Sequence, residues 1–314
     1  MAAERSFGLA VAILILIGQS LLAMVFWYLV VPVIIAALIG AVQRRLPRRA
    51  RKLSRPSEAG RIRGRMRRMA RPTLLLTPTK TPGFSKLGGE PEMPAGSVWP
   101  KGQSGPCAFV AQLDLAEVRA AGGPDWLPEA GLLHLFNDDD AYGFADHVKV
   151  LYSPGGPHHT HAAPPELHKR HRFGERRAGF LPMTSVPSLD WLGVDVREAN
   201  LDDEDMFELV GAPDAEFSDE LQHRISGYPS EIQESRMALE CEHLARGLPA
   251  PVWSEDIPDA IARASRSWRL LLQVDADEPL GMRWGDGGRL YIFIREQHAR
   301  AGNFAKTVSL WQTY

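Results

Sequence analysis

Trp284-Gly285-Asp286-Gly287-Gly288 sets a carboxylate between glycines and close to an indole. An Asp in such a turn accepts backbone N–H bonds while the glycines take positive φ. Held this way, the carboxylate can also meet a cation or a substrate hydroxyl. Asp114, Asp275 and Asp277 fall at the ends of apolar runs. If those runs are strands, their carboxylates can converge on one cleft and offer oxygen ligands to a hard cation. Helix capping or turn formation would use the same residues for structure alone. Trp99 lies in a Gly/Pro-rich stretch after Gly88-Gly89-Glu90-Pro91, where its flat apolar face suits either a ligand or the anchoring of an irregular segment on a sheet. Tyr228 and Gln233 belong to GYPSEIQ (227–233). The ring with its hydroxyl, and an amide able to bond two backbone groups, suit a loop over a pocket or a structural clasp. The candidate ligand-binding residues are therefore Trp99, Asp114, Tyr228, Gln233, Asp275, Trp284 and Asp286. His223 is a proton carrier or a packed histidine beside them.

Five histidines, His158, His159, His161, His168 and His171, sit among prolines and basic residues. Imidazoles bind zinc, nickel or copper. Their spacing is irregular and the two cysteines, Cys107 and Cys241, are remote, so a solvated loop that gains charge on acidification is the expectation. Neither cysteine forms part of a disulfide framework, in keeping with a reducing compartment. No G-x-S-x-G elbow, C-x-x-C pair, H-E-x-x-H helix, Walker loop or GxGxxG is present. No catalytic residue, metal or cofactor follows from motifs, although a triad assembled from distant residues is defined by geometry and leaves no such mark.

The elements that must position these residues are strands and short helices. Prolines and glycines repeated through 72–106 favour extended segments and turns over a long helix. Strand periodicity marks 107–113, 131–136, 147–152, 267–277 and 289–294. Helical turns are expected at 115–121, a helix over 235–246 and a short one over 257–264, with Pro258 near its first turn. FVAQLDL (109–115) followed by GLLHLF (131–136) is echoed by LLLQVDAD (270–277) followed by GRLYIFI (288–294). In both, an apolar strand ends in Gln-x-Asp and a Gly then opens an aromatic-ended strand. The pattern predicts an α+β fold of largely antiparallel sheets with short helices, its two strand pairs related by duplication or alike by chance.

A different organisation governs the first 71 residues. Residues 9–42 form a run of 34 without a charged side chain. A bilayer crossing needs about 20 apolar residues, so one tilted transmembrane helix is the first expectation. A hairpin turning at Gly18-Gln19-Ser20 and a cleaved signal peptide are the alternatives. From 43 to 71 there are 13 basic residues against the single acid Glu58. Such flanks stay on the cytoplasmic side and lie on anionic headgroups. Residues 1–71 carry 14 Lys and Arg against two acids, a net of +12, which leaves −14 on the remaining 243 residues of a chain whose total is −2. The expected organisation is a membrane anchor (1–42), a basic juxtamembrane linker (43–71) and an acidic α+β domain (72–314). That places the protein in the inner (cytoplasmic) membrane as a single-pass protein with the large domain in the cytoplasm. The arginines lack the interleaved aromatics or module that would argue for nucleic acid.

SKLGGEPEMPAGSVWP (85–100), AQLDLAEV (111–118), GLLHLF, GYPSEIQ and WGDGGRLYIFI (284–294) together, in this order, resemble the DUF1963 family, the YwqG-like proteins. The resemblance covers about 72–311. It implies an α+β fold with antiparallel sheets in bacterial proteins without an established activity, and it supplies no catalytic residues. The expected function is a membrane-anchored interaction or ligand-binding domain, whose acidic face would engage a basic protein. The alternatives are a metal-assisted hydrolase using clustered carboxylates, favoured if Asp114, Asp275, Asp286 and a histidine share one pocket, and an immunity-like protein that binds a toxin.

Overall fold

A computed structural model of the chain describes residues 57–138, 147–197, 222–233, 236–249 and 257–313, with Ala199, Leu201, Asp202, Asp205 and Leu209. Short apolar runs bounded by Gly and Pro form strands that pair antiparallel throughout. The main sheet has ten strands: β1 (Arg71–Pro78), β2 (Lys86–Leu87), β4 (Ala108–Asp114), β5 (Leu132–Asn137), β6 (Val148–Ser153), β8 (Arg176–Ser185), β9 (Arg224–Ile225), β10 (Trp268–Asp275), β11 (Arg289–Arg295) and β12 (Val308–Gln312). A separate pair joins β3 (Glu92–Pro94) to β7 (His158–Thr160). The expected α+β class and antiparallel sheet are both present.

Strand order is β12-β11-β10-β9-β1-β8-β2-β4-β5-β6. From the central β1–β8 pair outward, each side carries a two-residue strand, then a long hairpin, then an outer strand. The hairpins are the two echoed segments. Gln112 faces His134 and Asp114 faces Leu132 in the first; Gln273 faces Tyr291 and Asp275 faces Arg289 in the second. Each hairpin shifts register once, between Phe109 and Ala111 and between Leu270 and Leu272. The sheet curls until its edges approach, the Val148 N–H of β6 donating to Ser309 Oγ of β12 at 3.3 Å. Inside this near-barrel lies the main core, to which both halves contribute: Leu87, Leu113, Leu133 and Leu135 from one, Ile225, Leu272, Val274 and Ile292 from the other.

Six helices are described here. α1 (Glu58–Arg68) starts at Ser57, whose Oγ accepts the Gly60 N–H at 3.0 Å, and carries Glu58 in its first turn and arginines in its last, the arrangement the helix dipole favours. Ala59 and Ile62 are buried with Leu192 and Leu209. Residues expected to be linker are therefore a docked helix, because three apolar side chains, Met66 included, share one face. α2 (Leu115–Ala120) is capped by Asp114, and α3 (Leu189–Leu192) lies against α1. α4 (Met237–Ala245) packs Met237 and Cys241 on Trp268 and Phe293. α5 (Asp259–Ser265) and α6 (Glu296–Arg300) flank β10 and β11 in sequence. Among the described residues no helix is long and apolar enough to cross a membrane. The apolar run 9–42, the linker residues before 57 and most of residues 198–221 lie outside the described residues.

The histidine-rich segment departs in part from the solvated loop expected of it. His158 and His159 enter β7 opposite Pro94 and Met93, and His171 is buried, accepting the Arg170 Nε–H at 2.8 Å. Pairing with β3 gives the segment a strand, yet His159 and His168 stay exposed, as a composition that does not build a core requires.

Candidate functional site

The residues most suggestive of chemistry gather in two equivalent constructions, one in each half. Just after β2 the backbone turns through Gly88 and Gly89, with φ of 61° and 75°. After β9 it turns the same way through Ser226 and Gly227, with φ of 64° and 80°. A Cβ at Gly88 would stand 2.0 Å from the carbonyl oxygen of Gly174, which excludes any side chain there. The turn leads into Glu90-Pro91-Glu92 in one half and Tyr228-Pro229-Ser230 in the other. A fully buried glutamine then clasps each strap. Gln112 accepts the Glu92 N–H at 2.8 Å and donates to the Phe84 carbonyl at 2.8 Å. Gln273 accepts the Ser230 N–H at 2.8 Å and donates to the Gln222 carbonyl at 3.0 Å.

The facing strand completes each clasp. His134 Nε2 lies 2.7 Å from the Glu92 carbonyl, and Tyr291 donates its hydroxyl to the Ser230 carbonyl at 2.7 Å. A carbonyl only accepts, so His134 carries its proton on Nε2. Burial holds its pKa down to about 4, so the ring is neutral at neutral pH. Even the side chain before each short strand matches: the Asp114 N–H donates to Ser85 Oγ at 2.9 Å, and the Asp275 N–H donates to His223 Nδ1 at 3.2 Å.

Both halves carry an ion pair, Lys86 with Glu175 at 2.9 Å in the first, but among the described residues only the second holds a fully buried carboxylate. Asp277, fully buried, accepts two bonds from the Arg176 guanidinium, the Nη2 contact at 3.1 Å, and faces His223 Nε2 at 3.2 Å. Desolvation alone would raise the Asp277 pKa, but the bonds from His223 and Arg176 outweigh it and hold the carboxyl below its usual range. His223 looks like one member of an acid–base pair. Its Nδ1 is occupied by a backbone N–H and its Nε2 by Asp277, so neither nitrogen is presented to a substrate. The shallow indentation beside it, lined by Leu76, Thr77, Leu87, Arg176 and His223 among others, has about 10 Å³ of free space, room for one water molecule.

The seven candidate residues are engaged as follows. Trp99 anchors its strap, its ring edge-on to Phe136 at 5.1 Å and its Nε1–H donating to the Cys107 carbonyl at 2.9 Å. Asp114 caps α2 through the Ala116 N–H at 2.8 Å. Tyr228 is buried beneath the Arg71 guanidinium, 4.3 Å from its ring centre, and donates to the Met69 carbonyl at 2.8 Å. Gln233 ties GYPSEIQ to the chain end, donating to the Thr313 carbonyl at 2.7 Å. Asp275 accepts the Gln222 N–H at 2.7 Å and pairs with Arg289 at 2.5 Å. Trp284 is fully buried, edge-on to Phe173 at 5.7 Å. Asp286 is exposed in its turn, its N–H donating to Thr313 Oγ1 at 3.0 Å.

Gln233 and Asp275 thus belong to one strap network, through Ser230, Arg289, Tyr291 and Gln312, while Tyr228, in the same strap, bonds instead to Ser185 and Met69. Asp114 and Asp275 hold equivalent positions in opposite halves, with β9, β1, β8 and β2 between their strands. Among the described residues no group of three or more His, Cys, Asp or Glu side chains is placed to hold a metal ion. Sequence spacing did not single out His134, Tyr291, Ser85 or Arg176. One signal for the equivalence was present: Gly89-Glu-Pro91 and Gly227-Tyr-Pro229 share a spacing, each a few residues after the start of a strand.

Fold and site define an antiparallel α+β near-barrel with a matching backbone clasp in each half. The model of a domain of unknown function, DUF1963, matches residues 85–313, and the chain belongs to that family. The matched region opens at Ser85, so α1 and β1 precede it. No curated protein matches the chain.

Proposed function

We propose that this protein is a membrane-anchored interaction domain, held at the cytoplasmic face of the inner membrane, whose partner is a basic protein. The observation that carries the proposal is the division of charge: +12 on residues 1–71, directly after an uncharged run of 34, against −14 on the rest. Moving thirteen cations across hydrocarbon is costly, whereas the apolar run is stable within it. The acidic part would be repelled by anionic lipid and nucleic acid and attracted to basic protein surfaces. The buried clasps add support. They commit the family's most recognisable segments to holding straps on a sheet, which is what a rigid presentation platform requires. Their agreement in turn, glutamine and facing donor also favours descent of the halves from one duplicated unit.

The test is extraction of membranes with high salt and alkaline carbonate, combined with protease added outside intact cells. Retention of the full chain with the large domain undigested is the expected result. Release by carbonate, or digestion from outside, overturns the anchor or its sidedness. Crosslinking in the membrane should recover a basic partner, and raised salt should lower its yield; salt-independent capture of acidic partners alone would refute the electrostatic basis.

A further inference from the structure

We propose that the outer face of α1 is a docking surface for anionic lipid headgroups and that it fixes the orientation of the whole domain on the bilayer. The inference rests on the anchored reading and adds to it a particular face and a rigid linkage. Arg61, Arg65, Arg67 and Arg68 of α1 are exposed. Arg61, Arg65 and Arg68, at i, i+4 and i+7, lie along one stripe, where like charges repel and weaken the helix unless something anionic lies against them. Glu58 answers Arg61. Arg65 donates to the Leu192 carbonyl at 3.2 Å, and among the described residues Arg65, Arg67 and Arg68 have no carboxylate partner. The last turn ends at Met69, itself exposed.

The opposite face of α1 is seated on the domain through Ala59 and Ile62, with Met66 packed against them. Tyr228 adds a bond from within the second strap to the Met69 carbonyl. A charge held by headgroups is therefore held by the domain and not by a loose tether. Reach favours the bilayer as occupant. Fourteen residues, 43–56, separate the apolar run from Ser57, and they span at most about 50 Å when fully extended. Seven of those residues are Lys or Arg, a charge that an anionic surface attracts. The net −14 of the remaining 243 residues turns the rest of the surface away from it.

The test uses the full chain in vesicles of phosphatidylcholine with and without phosphatidylglycerol. Cys107 and Cys241 are buried, so a fluorophore can be directed to M69C beside the arginines, or to V98C, a highly exposed position outside α1, as reference. Headgroup-spin-labelled lipid should quench the M69C probe more than the V98C probe, and only when phosphatidylglycerol is present. R61Q/R67Q/R68Q leaves the Arg65 bond to Leu192 in place. It should weaken this contact by about fivefold per arginine removed, with R61K/R67K/R68K restoring it. Carbonate-resistant retention of both variants keeps the anchor separate from the docking. Equal quenching at the two probes in anionic vesicles, with the protein still retained, overturns the docking while sparing the anchor. Loss of retention for the unmutated chain overturns the anchor and the docking together.

Discussion

Replacing Gln273 by leucine tests the clasp most directly. The substitution keeps most of the volume but removes both side-chain bonds, the one to the half-buried Ser230 N–H and the one to the Gln222 carbonyl. Each orphaned group costs about 1–3 kcal/mol. Leucine returns about 1–2 kcal/mol of apolar transfer, so a net loss of about 2.5 kcal/mol is expected from the mid-range values, against total stabilities of about 5–15 kcal/mol. Q112L removes the same two bonds, from the Glu92 N–H and to the Phe84 carbonyl, and should cost a similar amount. The two glutamines lie in opposite halves and share no partner, so the double variant should lose the sum to within about 0.5 kcal/mol. Urea unfolding of the full chain in detergent, followed by the fluorescence of buried Trp268 and Trp284, measures all three. Losses below about 1 kcal/mol for both single variants would show that the straps are held by something other than the glutamines. A large loss at one site alone would refute their equivalence.

The turns respond to substitution in opposite ways. G88A forces a Cβ onto the Gly174 carbonyl at positive φ and should cost at least about 2–3 kcal/mol in the same assay. S226G relieves a left-handed serine and should change stability by less than about 1 kcal/mol, so equal losses would be the contrary result. His134 makes stability depend on pH. Its folded pKa of about 4 lies below its ordinary value of 6.5, so the unfolded chain takes up the proton first and stability falls as pH drops from about 6.5 to about 4. The contribution is about 3 kcal/mol at most. H134Q keeps a donor for the Glu92 carbonyl without titrating, so its stability should decline less over that window; parallel pH curves would refute the assignment.

Much of the sheet was legible in the chain. Strands over β4, β5, β6, β10 and β11, and the helices α2, α4 and α5, are marked by period and by turn residues within a few positions of where they form. The candidate site was less legible. Asp114 proved to be a helix cap and Trp284 a core residue, since an Asp or Trp in a turn looks alike whether its partner is a ligand or the protein's own backbone. α1 was obscured by its arginines: the composition resembled a linker, although Ala59, Ile62 and Met66 already shared a face.

What the sequence determined by itself was local: the antiparallel α+β class, the echoed hairpins, and the sharp change of charge at the start of the domain. These follow from residue period, turn chemistry and net charge, all of which act over neighbouring positions. Only the tertiary structure decided that Gln112 and Gln273 clasp equivalent straps, that Arg176 and His223 meet on Asp277, and that α1 is seated against α3. A buried amide or carboxylate can be satisfied by many partners, and which one it meets is set by the strand pairing that brings residues more than a hundred positions apart, such as Arg176 and Asp277, within hydrogen-bond distance.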